Sequence, residues 1–216
     1  MGRVPRVAIP DTRTQLLDAA EQLFAEHGYR GTSVRAITKL AGANLAAVGY
    51  HFGSKAELMA AVARRVIEPI DAAQRAGLDT LLARTAEPSV GELVEAFAGP
   101  LFDEMSAEDA GGARTSRLIV TILSDPAEEA RSWSGPGADT VGERYLAAFT
   151  RALPGLSPEE LRFRMRGMLA VTAVDRLEVH QQPTPGCAPP AAGGAAARRW
   201  AVTFLTAAMS APPSPN

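Results

Sequence analysis

Four helix starts fall within the first 55 residues of this chain, and the segments between them are short. That spacing admits only brief helices packed across one another and leaves no room for a sheet in this part of the molecule. Thr12 with Gln15 offers a capping box, in which side chains satisfy the free N–H groups of a first turn. Leu16, Leu17, Ala20, Leu23 and Phe24 then recur on one helical face, and Gly28 stops the helix. Thr32 and Ser33 open a second short helix holding Val34, Ile37 and Leu40, which ends at Gly42. Asn44 opens a third, and the Ser54–Glu57 pair opens a fourth carrying Leu58, Val62, Val66 and Ile70.

Beyond Pro69 the helices lengthen. Ser89 with Glu92 caps a segment containing Leu93, Phe97 and Leu101, and Asp109–Gly112 precedes Leu118, Ile119, Ile122 and Leu123. Asp125-Pro126 with Glu128 is a further start, interrupted at Ser134–Gly137 and resumed through Val141, Tyr145, Leu146 and Phe149. Ser157-Pro158-Glu159-Glu160 leads into Leu161, Met165, Met168, Leu169 and Thr172. Pro183 to Gly194 reads as a loop, a last helix carries Trp200, Phe204, Leu205 and Met209, and the tail 212–216 is expected to be disordered. No segment alternates with strand periodicity. The expected fold is all-α, with nine to ten helices.

Composition narrows the function. The 216 residues, 46% hydrophobic and 21% charged, suit a globular protein rather than a disordered one. There is no apolar run long enough for a membrane span and no secretory h-region, and Cys187 is the single cysteine. A cytoplasmic protein without disulfides is expected. The net charge of −2 conceals a bias: residues 1–60 carry seven Lys/Arg against five Asp/Glu, so the basic end sits on an acidic body. Such a bias suits contact with a polyanion at that end. His27, His51 and His180 form no metal-ligand spacing, and no nucleophile elbow, paired-acid or phosphate-loop signature is present. No metal, no cofactor and no enzymatic activity are expected.

Two short helices joined by Ala41-Gly42-Ala43 fit a helix-turn-helix, whose second helix enters the DNA major groove. At about 100° per residue, Val48 and Phe52 share the inner face of that helix, against Leu16, Leu23, Phe24, Val34 and Ile37. Ala46, Gly49 and Tyr50 then face outward, with Leu45 and Ala47 at the edges.

The stretch TRTQLLDAAEQLFAEHGYRGTSVRAITKLAGANLAAVGYHFGSKAELMAAV, residues 12 to about 62, resembles the DNA-binding domain of TetR/AcrR-type regulators. Ala20, Phe24, Gly28-Tyr29, Thr32-Ser33-Val34, Ile37, Ala41-Gly42, Tyr50-His51-Phe52 and Lys55 carry the likeness without a gap. The resemblance implies DNA-binding roles for Thr32, Ser33, Asn44, Leu45, Ala46, Ala47, Gly49, Tyr50, His51 and Lys55. Among these Thr32, Tyr50, His51 and Lys55 match phosphate-contacting positions, while Asn44, Leu45, Ala46, Ala47 and Gly49 match positions facing base edges. Gly49 stands where the most similar branch has Asn, and a glycine cannot pair with adenine as Asn does.

The remainder of the chain resembles the family only in being helical and of suitable length, which implies ligand binding and dimerisation. The expected organisation is an arm and DNA-binding domain over 1–53, a connecting helix over 54–70, and a ligand-binding and dimerisation domain over 71–211. Phe97, Phe102, Arg117, Leu118, Ile122, Tyr145 and Phe149 are candidate pocket residues; Arg117 reads either as a solvated helix edge or as an anchor for an anionic ligand. Met165, Met168, Leu169, Leu177, Trp200, Phe204 and Leu205 are candidates for the dimer interface, with plain core packing as the competing reading. Together these lead to a homodimeric regulator, a repressor, that binds a palindromic double-stranded DNA operator and is released by a small-molecule effector. The alternative is a helical small-molecule-binding protein with a degenerate DNA reader.

Overall fold

A computed structural model describes residues 11–105, 110–124, 140–175 and 194–213. Among them the chain is helical throughout, with nine helices and no strand. We number these α1 (Thr12–Gly31), α2 (Val34–Leu40), α3 (Ala46–Phe52), α4 (Lys55–Arg84), α5 (Val90–Met105), α6 (Ala110–Ser124), α7 (Val141–Ala152), α8 (Pro158–Asp175) and α9 (Gly194–Ser210). The expected start at Asp125, the break at Ser134–Gly137, and the residues Leu177, His180 and Cys187 lie outside the described residues.

The helix starts follow side chains that can replace missing backbone partners. Ser33 Oγ accepts the Ala36 N–H, Ser54 Oγ the Glu57 N–H, and Ser157 Oγ the Glu160 N–H. Ser89 and Glu92 close a reciprocal box, with Glu92 N–H donating to Ser89 Oγ and Ser89 N–H to Glu92 Oε2. One start differs from expectation. The cap of α1 is Asp11, whose carboxylate accepts the Thr14 N–H at 2.7 Å, so Thr12 already lies inside the helix. A carboxylate also suits the positive end of a helix better than a hydroxyl does.

Gly28 breaks α1 as the sequence suggests: its φ of 68° is left-handed, and only a short turn continues to Gly31. Gly42, at φ 64°, makes the corresponding turn between α2 and α3. The connecting helix, by contrast, does not stop near Ile70. α4 runs for 30 residues to Arg84, about 45 Å, with Pro69 inside it. Proline removes one helical hydrogen bond there, but apolar packing on both sides of it keeps the helix continuous.

Two apolar cores meet along α4. The first gathers Leu16, Phe24, Ile37 and Val48 with Leu58, Val62 and Ile70 of α4, and takes in Leu101 of α5 and Leu118 and Ile119 of α6. The second joins Leu78 and Leu81 of α4 to Leu93, Phe97 and Phe102 of α5, Tyr145 and Phe149 of α7, and Met168 and Leu205 of α8 and α9. Between the cores sits a buried polar link. Gln74 donates its side-chain N–H to the Phe97 carbonyl at 2.6 Å, and the Tyr145 hydroxyl donates to the Gln74 carbonyl at 2.9 Å. Burial pushes the Tyr145 phenol well above its ordinary range, so it remains a neutral donor.

Candidate nucleic-acid interface

The first three helices place α3 on the surface with one side chain driven inward. Val48 is buried, Phe52 and Ala47 are half-buried against the first core, and Leu45, Ala46, Gly49 and Tyr50 are exposed. Tyr50, 86% exposed, projects a ring into solvent where a bundle would bury it. A tyrosine left so open adds nothing to the packing of the head, although aromatic area of that size is normally buried. Its neighbour His51 meets it edge-on with ring centroids 4.9 Å apart.

Gly49 has open space above it. Beyond its own helix and chain neighbours, no atom lies within 4 Å of where a Cβ would stand. The fold therefore gives no internal reason for glycine there. Asn44 spends part of its side chain locally, as its Oδ1 accepts the Ala46 N–H at 3.0 Å and starts α3, leaving its amide N–H groups to face outward.

The flanking positions expected to contact DNA separate into two kinds. Ser33 is exposed, and with Oγ accepting from Ala36 its O–H is left to donate. Lys55, at the first turn of α4, holds its ammonium 4.2 Å from the centre of the Tyr29 ring. Beside it the N-terminal end of α4 adds the positive end of the helix dipole. Thr32 is a correction. It is 2% exposed and its hydroxyl donates to the carbonyls of Leu23 and Gly28, so its side chain ties the end of α1 to the start of α2 instead of meeting a phosphate.

Among the described residues the pocket candidates are not gathered around one cavity. Phe97, Phe102, Tyr145 and Phe149 fill the second core, Leu118 is buried in the first, and Ile122 packs against it. Arg117 is exposed on α6, as a helix-edge residue is. None of the seven lines either of two surface hollows. One is an open groove of about 580 Å³ between Ala76, Gly77 and Thr80 of α4 and Gly91 and Ala96 of α5. The other, about 290 Å³, adjoins the end of α3.

The interface candidates also divide. Met165, Met168 and Leu205 face the second core, and Leu169 is half-buried between the two cores, so these four serve packing within the chain. Trp200 and Phe204 are 55% and 58% exposed on α9. Two residues that sequence reasoning missed join them: Phe163 and Val171 of α8 are also exposed. The signal was present for Phe163, which falls on the opposite side of α8 from the buried 161, 165, 168 and 172, whereas Val171 lies on the flank of that face.

The reading head is tied to the rest of the molecule by charge as well as by core. Glu21 of α1, with its side chain only 15% exposed, takes Arg65 Nε of α4 at 3.3 Å and Arg114 Nη1 of α6 at 3.6 Å. Arg65 also reaches Asp18 at 2.6 Å.

An all-helical chain with an exposed helix-turn-helix helix, cations beside it and a larger helical body defines a class: DNA-binding regulators with an attached second domain. Comparison with known proteins then specifies the family. Residues 16–62 match the bacterial regulatory proteins of the TetR family, and residues 95–208 match the tetracyclin repressor-like C-terminal domain. The regulatory protein RaaS of Mycobacterium tuberculosis is 32% identical over 179 residues, which cover 79% of this chain and 73% of that protein. The transcriptional repressor AcnR of Corynebacterium efficiens is 41% identical over 54 residues, 25% of this chain, so the chain spans only 29% of that relative's length. Among solved structures, a TetR-family regulator from Shewanella sp. PV-4 superposes with a TM-score of 0.63 at 18% identity, covering 92% of this chain and 98% of that one. The multidrug binding protein EbrR, solved with malachite green, gives 0.54 at 21% identity, covering 94% and 100%. At those identities the two structures attest the fold. The chain belongs to the TetR family, which comprises transcriptional regulators and not enzymes.

Proposed function

We propose that this chain is a repressor that binds a palindromic operator as a homodimer in the cytoplasm and is released by a small-molecule effector. The observation that carries the reading is α3: an apolar, glycine-containing surface left exposed between Ser33 and Lys55, on a head whose own core is complete without it. Leu45, Ala46 and Ala47 can read thymine methyl groups by contact, while Ser33, Tyr50, His51 and Lys55 fix register on phosphates.

Release requires that an effector bind the unmatched dimer geometry more tightly than the DNA-competent one. The packing offers a route for that preference. α6 shares the first core with α1 and holds Glu21 through Arg114, so a displacement of α6 moves the reading head with it. Successive half-sites lie about 34–36 Å apart, so a change in head separation of a few ångströms breaks one contact set. EbrR, solved with malachite green, makes an aromatic dye the effector to test first.

Footprinting on the DNA flanking its own gene tests the reading. A protected stretch with two-fold related halves about one helical turn apart is the expected result. Protection of a single half-site, or none at moderate salt, would sink the operator model and favour a ligand-binding protein with a degenerate reader.

A further inference from the structure

We infer that Arg13 is a further phosphate-binding residue of the DNA interface, the counterpart of Lys55 at the other end of α1. The inference rests on the DNA-binding reading above, and the expected contact positions do not include this arginine.

Its geometry repeats that of Lys55. The Lys55 ammonium stands on the ring of Tyr29, and the Arg13 guanidinium carbon stands 5.0 Å from the centre of the Phe52 ring. Tyr29 and Arg13 belong to opposite ends of α1. Arg13 thereby stands against the last residue of α3 and Lys55 is the first residue of α4, so the two cations flank the end of the reading helix. Phe52 is also part of a ledge: its ring centroid is 6.5 Å from that of His51, which in turn meets Tyr50 at 4.9 Å. Arg13 therefore extends a line of contact groups that begins at the most exposed tyrosine of the reading helix.

The guanidinium is prepared for an anion. Among the described residues Arg13 makes no ion pair. A guanidinium held over a ring keeps its N–H donors, in the planar fork that matches two phosphate oxygens. It lines the smaller hollow together with His51, Phe52, Glu57 and Arg64. Two carboxylates are near, and each has a local role. Asp11 accepts the Thr14 N–H, a bond that holds its pKa below the usual carboxylate range, and Glu57 lies against Gly53 at the start of α4. They limit long-range attraction at this spot, so Arg13 acts at contact distance once α3 has docked.

The test is fluorescence anisotropy on a labelled random-sequence duplex of about 30 base pairs, from about 50 to 200 mM KCl. Non-specific binding is governed by phosphate neutralisation, so the slope of log K against log salt counts the contacts. Arg13→Gln and Arg13→Met, the latter keeping an apolar stem against Phe52, should each bind roughly three- to tenfold more weakly. Their slopes should be shallower by about 0.9 for each chain on the duplex. Arg13→Lys should keep the wild-type slope, as should Arg151→Gln, an exposed cation on α7. Wild-type slopes in both uncharged variants, with unchanged circular dichroism, would overturn the assignment and leave Arg13 a packing residue. An equal change in Arg151→Gln would overturn it as a mere net-charge effect. If wild-type protein bound no duplex even at the lowest salt, the DNA-binding reading itself would fall and this inference with it.

Discussion

At position 49 the chain accepts a cost that nothing inside the molecule repays. A glycine within a helix is destabilising by about 0.8–1.0 kcal/mol relative to alanine, and here a Cβ would meet only open space. Gly49→Ala should therefore raise the free energy of unfolding by up to about 1 kcal/mol in urea titrations. Gly49→Asn should fold equally well and shift base preference toward adenine in a selection from random duplexes. A destabilised Gly49→Ala would mean that α3 needs the glycine for its own backbone, and the selection argument would fail with it. A second single-residue case lies on α4. Burial raises the pKa of Asp71, partly offset by Arg75 and reinforced by Glu68. A carboxyl whose folded pKa is raised is held at a disadvantage while ionised, and that disadvantage fades as pH falls through the raised folded value toward the unfolded one. Asp71→Asn should thus raise Tm at pH 7, and the gain should vanish below the ordinary aspartate range. A gain that persisted in acid would assign the effect to packing.

At the scale of elements, α8 and α9 are joined by one side chain. Arg164 of α8, its side chain 11% exposed, donates to the carbonyls of Met209, Ala211 and Pro212 at 2.7–2.8 Å while paired with Glu160 at 2.6 Å. It thereby supplies partners and positive charge to a helix C-terminus that has no intrahelical donors of its own. Arg164→Ala should lower stability by about 2 kcal/mol, with hydrogen exchange rising first in the last turn of α9. Arg164→Lys should restore little, because an ammonium cannot fork across several carbonyls. Uniform exchange across both helices would show that the tether is not local. Elements differ in how openly the sequence displays them. The starts at Ser33, Ser54, Ser89 and Ser157 are legible because a cap is a contact within three residues. The passage of α4 through Pro69 is not, since it depends on apolar contacts from helices far along the chain. Thr32 shows the same limit within the candidate site: its place in the motif is legible, but its bond to the Leu23 carbonyl nine residues back is a tertiary fact. For Met165 and Met168 of α8 the choice between interface and core is open in the sequence for a related reason, because composition says a residue can be buried without saying by which chain.

For the whole molecule, the apolar side chains left over after both cores are filled point to assembly. Phe163 and Val171 on α8 and Trp200 and Phe204 on α9 remain substantially exposed on the two C-terminal helices. Burying an aromatic side chain is worth about 1.5–3 kcal/mol, and in a two-fold interface each residue is used twice. Replacing Phe163 and Phe204 in both subunits would therefore remove four rings from one contact. If these helices carry the dimer, Phe163→Glu combined with Phe204→Asp should shift sedimentation from dimer to monomer at micromolar concentration. Its circular dichroism should stay unchanged, because neither ring belongs to either core. DNA binding separates this from simple damage. A monomeric head keeps its phosphate contacts but loses the second half-site, so operator affinity should collapse toward the non-specific level, and the salt slope should fall by about half. A double variant that remained dimeric would place the interface elsewhere on the chain. A wild-type protein that sedimented as a monomer would instead remove the paired-head model, because one reading helix of seven residues offers few base contacts from which to build specificity.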